Sequence, residues 1–253
     1  MYDKQTVYAA SGTSTYVFAD AVLQQIISMA SSLSEGVMVL TDSTKASGTD
    51  YYNSLEFTLW NAVKLTITDT GTAGSTVNLT VKVTVNETEI NAGYVPVALS
   101  TGGSIRKCIV RMGISTNHDA VVLRLTKQSS DYICLDTIIA KNGNVCMVST
   151  DSTTGTPTAT SINAMNKAFY NSATGLSQYS AFDRLGYGYP TVGQFEIMEN
   201  KAFIENDTFR IQVDGLFDCT TISPDVLIMM DNKEYYSLDD HTIMEVTANG
   251  NSN

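Results

Sequence analysis

Histidine is almost missing from this chain: two residues, His118 and His241, among 253. Each has an acidic neighbour, Asp119 and Asp240. Adjacency in sequence does not place a carboxylate on an imidazole, and both histidines read as turn residues. Many serines are present, yet no GxSxG elbow occurs, so a hydrolase triad lacks its base and its nucleophile turn. Cysteine is scarce as well. Cys108, Cys134, Cys146 and Cys219 form no CxxC and pair with no histidine at ligand spacing, which disfavours zinc. Free cysteines in apolar strands behave as small hydrophobes, so buried thiols are expected rather than disulfides. The acids around 225–240 could hold a hard cation, but they lack the order and the glycine of an EF-hand loop. Phosphate-loop and dinucleotide patterns are missing, since Gly186-x-Gly188 runs into Pro190 instead of a helix. These absences leave no catalytic residue, no metal ligand and no cofactor to assign.

Positive charge is also short. The net charge is −11, and residues 181–253 carry 13 acidic against 4 basic side chains, a net of −9. Nucleic-acid binding needs a basic footprint, and none is offered. The acidic third reads as a solvated surface or as an electrostatic match to a basic partner. The longest apolar runs, such as Val226–Met230, fall far short of a bilayer span, so no membrane is expected. The first residues carry no basic stretch followed by an apolar one, so no secretory signal is read there. A single tryptophan, Trp60, argues against a carbohydrate platform of stacked aromatics.

What the chain does contain is strand patterning. Leu55, Phe57 and Leu59 alternate with polar neighbours; so do Val63, Leu65 and Ile67, and then Val77 to Val85. This predicts a long hairpin with one buried and one wet face. Further strands are predicted near 105–114, 120–127 and 131–140. Asn142-Gly143 then predicts a type I′ turn into 145–149. Residues 1–14 read as an extended arm. A helix is predicted from about Thr15 to Ser32, with Phe18, Val22, Ile26, Met29 and Leu33 on one face. Val17, Leu23 and Ile27 widen that stripe until little is left for water. Part of it could therefore cover a neighbouring subunit.

Three segments result. Residues 1–150 form a β-sandwich-like domain with the arm and the helix. Residues 151–192 hold a linker, a short helix over 162–171 and an irregular stretch rich in glycine and tyrosine. Residues 193–253 form a small acidic β domain built as an antiparallel meander. The fold class is thus mainly β, antiparallel, with two helices. Candidate interface residues are Phe18, Val22 and Ile26 on the helix, with Tyr187, Tyr189, Tyr235 and Tyr236.

An acidic, Ser/Thr/Asn-rich antiparallel β chain with an arm, a projecting hairpin and no catalytic constellation resembles the virion structural proteins of tailed bacteriophages. The resemblance is one of style across the whole chain and carries no diagnostic residue. It implies a non-enzymatic place in a tail, baseplate, neck or capsid surface of a particle assembled in the host cytoplasm. It also implies partners that are further copies of the chain and other virion proteins. The alternative is a receptor- or glycan-binding module that uses the loops at 68–76, 150–160 and 185–193.

Overall fold

In the computed structural model, the residues described are 1–10, 12–33, 36–72, 76–91, 93–98, 106–127, 134–150, 165–171, 176–179, 197–198, 202–206, 209–212, 216–219, 226–230, 232–237 and 242–246. In chain order the elements begin with β1 (Tyr2–Ala9), α1 (Thr15–Leu33), β2 (Met38–Lys45), β3 (Tyr52–Leu59), β4 (Val63–Asp69), β5 (Thr76–Val85), β6 (Thr88–Ile90) and β7 (Tyr94–Ala98). Then come β8 (Arg106–Ile114), β9 (Ala120–Lys127), β10 (Cys134–Ala140), β11 (Val145–Thr150), β12 (Met165–Asn171) and β13 (Leu176–Tyr179). The C-terminal part holds β14 (Ile197–Met198), β15 (Ala202–Asn206), β16 (Phe209–Gln212), β17 (Leu216–Cys219), β18 (Leu227–Met230), β19 (Lys233–Ser237) and β20 (Thr242–Val246). The chain is mainly β, its paired strands run antiparallel, and two of its sheets face each other as a sandwich.

The first sheet of the sandwich runs β2-β3-β4-β5-β6, with β7 added alongside β5. Period-two alternation decides its faces. Phe57 lies opposite Leu65, which lies opposite Val83, while Leu55, Ile67 and Val81 make the next apolar row. All six are at most 1% exposed. The other face is wet and carries ion pairs such as Lys64–Glu56 at 3.0 Å. The second sheet is seven-stranded, β1-β8-β9-β10-β11-β12-β13. Its inner face presents Val110, Met112, Val121, Leu123, Leu125 and Leu135 to the same core.

Helix α1 is wedged against both sheets, touching β3 on one and β1 and β8 on the other. Ser14 caps it, its Oγ accepting the Val17 amide at 3.3 Å. Phe18, Leu23, Ile26 and Met29 are all essentially buried, each contributing roughly 1.5–3 kcal/mol on transfer from water. Asp20 is buried too and fastens the helix to β3 by accepting the Tyr52 amide at 2.8 Å. Trp60 ties the sheets together: its indole N–H donates to the His118 carbonyl at 2.7 Å.

Four expectations are corrected. The arm is strand β1, whose eight residues all pair with β8. The helix keeps a wet side, with Gln24 and Ser28 exposed, so it is not apolar all round. The short helix expected over 162–171 is absent where the chain is described; Met165–Asn171 is strand β12, laid along β11. A helix of that length is marginal on its own, whereas the open edge of β11 offers a complete ladder. Finally, the turn at Asn142-Gly143 is not type I′. Only Gly143 has positive φ (87°), and its amide donates to the Ala140 carbonyl at 2.8 Å. That is a type I turn closed by a left-handed glycine, with Asn142 Oδ1 accepting the Asn144 amide.

Thr137 is out of place in the core. It faces inward opposite Leu123, is fully buried, and its Oγ1 has no hydrogen-bond partner. Thr137→Val removes the stranded hydroxyl and keeps the shape. We expect it to raise the unfolding free energy by about 1 kcal/mol, read as a higher urea midpoint at unchanged slope.

Candidate interaction surface

The third sheet, β14-β17-β20-β19-β18, ends in the three-strand meander β18-β19-β20. It lies on the outer face of the seven-stranded sheet. Tyr236 of β19 stacks on Tyr2 of β1, with ring centroids 3.3 Å apart. Met244 of β20 occupies the space over Gly113 of β8, and the Glu245 carbonyl accepts the Thr116 amide at 3.1 Å. β20 therefore sits over β8 and β19 over β1. Since β1 is the last strand of its sheet, the next strand out, β18, has no strand beneath it among the described residues.

That overhang explains its exposure. Leu227 and Met229 are 64% and 67% exposed, matched among the described large hydrophobics only by Tyr8 at 64%. They share the face that carries Tyr236, because Leu227 lies opposite Tyr236 and Met229 opposite Glu234. Ile228 and Met230 point the other way and pack against the small cluster of Tyr235 and Ile243. The backbone of β18 is equally open. Ser237 donates its amide to the Val226 carbonyl at 3.0 Å, so residues 228 and 230 also turn their N–H and C=O groups toward β19. Leu227 and Met229 turn theirs outward, and among the described residues no strand pairs with that side.

Three other edges are blunted. On β1 the Asp3 carboxylate accepts the Lys4 amide at 2.8 Å, and on β2 Asp42 accepts the Ser43 amide at 2.8 Å. β2 also carries two register shifts, and β7 contains Pro96. Such bulges, prolines and charges keep edges from pairing. β18, with the sequence LIMM, has none of them.

No family model, curated protein or solved structure matches this chain. The surface must therefore be read from its own geometry. Of the residues singled out from the sequence, Phe18, Val22 and Ile26 are at most 1% exposed inside their own core, and Tyr235 and Tyr236 are 6% and 4% exposed. None of the five is free to meet a neighbour in this fold. Tyr187 and Tyr189 lie outside the described residues, as do His241 and the loops at 151–160 and 185–193. Leu227 and Met229 were missed as a pair, although the run Val226–Met230 stood out in the sequence as apolar.

Three further features bear on chemistry. An open groove of about 710 Å³ runs beside α1, lined by Gln24, Ile27, Ser28, Ser31, Ser32 and Tyr52. Among the described residues no three of His, Cys, Asp and Glu come together as a metal site, and no helix is long and apolar enough to cross a membrane. Cys108 is a buried free thiol, and burial, only partly offset by a hydrogen bond from the Thr126 backbone and the Arg111 charge, pushes its pKa up to about 12. With the folded value above the ordinary 9.0, the stability gained by keeping it neutral is intact below 9.0 and lost as pH climbs toward about 12. We expect Cys108 to resist Ellman's reagent in native protein at pH 8 and to react once urea unfolds the chain.

Proposed function

We propose that the protein is a non-enzymatic structural subunit of a viral particle, acting through protein–protein contacts in a phage tail, baseplate, neck or capsid surface. The observation that carries this reading is the unprotected edge strand β18, with Leu227 and Met229 bared on one face. A lone soluble β protein pays for such an edge in aggregation risk unless something covers it. The strongly acidic C-terminal third favours contacts chosen by charge. Copies of the chain and other virion proteins are the partners this reading assigns.

The groove beside α1 favours a second reading, a glycan-binding module, because its three serines, one glutamine and one tyrosine offer hydroxyl-type partners around an open cleft. Size-exclusion chromatography with light scattering, paired with a glycan array, separates the two. A discrete oligomer that binds no glycan supports the structural subunit. A stable monomer that retains a defined glycan class overturns it in favour of the module.

A further inference from the structure

We propose that Asn142-Gly143 is a latent self-modification site: the turn between β10 and β11 keeps its asparagine unreacted, and opening of that hairpin lets it convert to isoaspartate. The inference needs no partner and goes beyond the contact-making role proposed above.

The chemistry is intrinsic to the pair. Asn142 is exposed, so water and hydroxide reach it. When hydroxide takes the Gly143 amide proton, the nitrogen lone pair can bond to the Asn142 side-chain carbon, Cγ. The Cγ–Nδ2 bond then breaks. The departing nitrogen takes a proton from water and leaves as ammonia, which returns the hydroxide and closes a five-membered succinimide. Water opens that ring at either carbonyl, giving aspartate or isoaspartate. Glycine in second place puts no side chain in the way of the attacking nitrogen.

The folded turn opposes the first step. The Gly143 N–H is buried and donates to the Ala140 carbonyl at 2.8 Å, which disfavours loss of its proton. Asn142 Oδ1 accepts the Asn144 amide at 3.0 Å, so the side chain is held as well. The Ala140 amide donates to the Asn144 carbonyl at 2.8 Å, and the Lys141 amide to the Asp119 carbonyl at 2.8 Å. These last two bonds close the hairpin and tie it to the turn between β8 and β9. The backbone torsion is also wrong for ring closure. Asn142 holds the third place of a type I turn, where ψ is about 0° and a residue's own nitrogen eclipses the next one. Closure needs Cβ in that eclipsed place, a rotation of about 120° around the Cα–C bond. Such a rotation swings the Gly143 N–H off the Ala140 carbonyl, so the hairpin must open first. Isoaspartate then adds a carbon to the main chain inside the turn and leaves a permanent mark of the opening.

The test incubates the full chain at mildly alkaline pH, native and in guanidinium chloride. Residue 142 is followed by peptide mapping with mass spectrometry and chromatography that resolves isoaspartate. Asn142 is expected to convert at least about tenfold more slowly in the native chain than in the unfolded one. Denaturant below the unfolding midpoint should raise that conversion and the hydrogen exchange of the Gly143 amide together, because both need the same opening. Asn142→Gln, whose longer side chain disfavours the five-membered closure, should lose the product in guanidinium. Equal rates in the two states, or no conversion in guanidinium, overturn the proposal. So does a native rate that stays flat while Gly143 exchange rises, or a product that persists in Asn142→Gln.

Discussion

Phe18→Ala should lower the unfolding free energy by about 3–5 kcal/mol, the largest loss expected from any single truncation on α1. The side chain is 1% exposed and belongs to the core shared by both faces of the sandwich. No partner subunit enters the cost. Truncation removes the transfer energy of the ring and leaves a hole that the sheets, held by their own ladders, fill only partly. Urea unfolding followed by Trp60 fluorescence is the measurement. The Trp60 indole is bonded across the sheets to His118, so its signal reports their separation. Were Phe18 an interface residue, the isolated chain would lose no more than about 0.5 kcal/mol, and the change would show in oligomeric state instead.

Gly113→Leu should release the C-terminal sheet. A Cβ built at Gly113 falls on the terminal methyl of Met244 and 3.2 Å from the Tyr2 ring. Alanine is tolerable because the end of a methionine side chain can swing aside. Leucine fills the space Met244 uses and pushes on the Tyr2 ring that Tyr236 stacks on. Overpacking of this kind costs roughly 1–3 kcal/mol, and here the cost falls on one contact between layers. We expect loss of near-ultraviolet dichroism from the tyrosine stack and faster proteolysis within 226–246, with the Trp60 transition largely kept. Gly113→Ala should resemble the parent. Unchanged proteolysis in Gly113→Leu would mean that the third sheet is held elsewhere.

Strand faces were legible because their signal is local. Leu55, Phe57 and Leu59 need only period two to declare a buried side, and the structure keeps that register. The helix was legible for the same reason, from its capped start to its apolar stripe. What covers a buried stripe is a long-range fact. Phe18, Val22 and Ile26 read equally well as core or as interface until β1 and β8 close over them. Long-range pairing also explains β12, which falls within the helix expected over 162–171 while β11 offers a free ladder. Tyr235 and Tyr236 are hidden for a related reason: the ring that covers Tyr236 comes from Tyr2, more than two hundred residues earlier. The apolar run Val226–Met230 was visible, but its position at an edge follows from the strand order β14-β17-β20-β19-β18, which no local pattern encodes.

Amide hydrogen exchange at single-residue resolution across β18 tests the open edge most directly. In the free chain the amides of Leu227 and Met229 should exchange fast, while those of Ile228 and Met230, spent on β19, stay protected. Uniform protection of all four in the free monomer would contradict an open edge at β18.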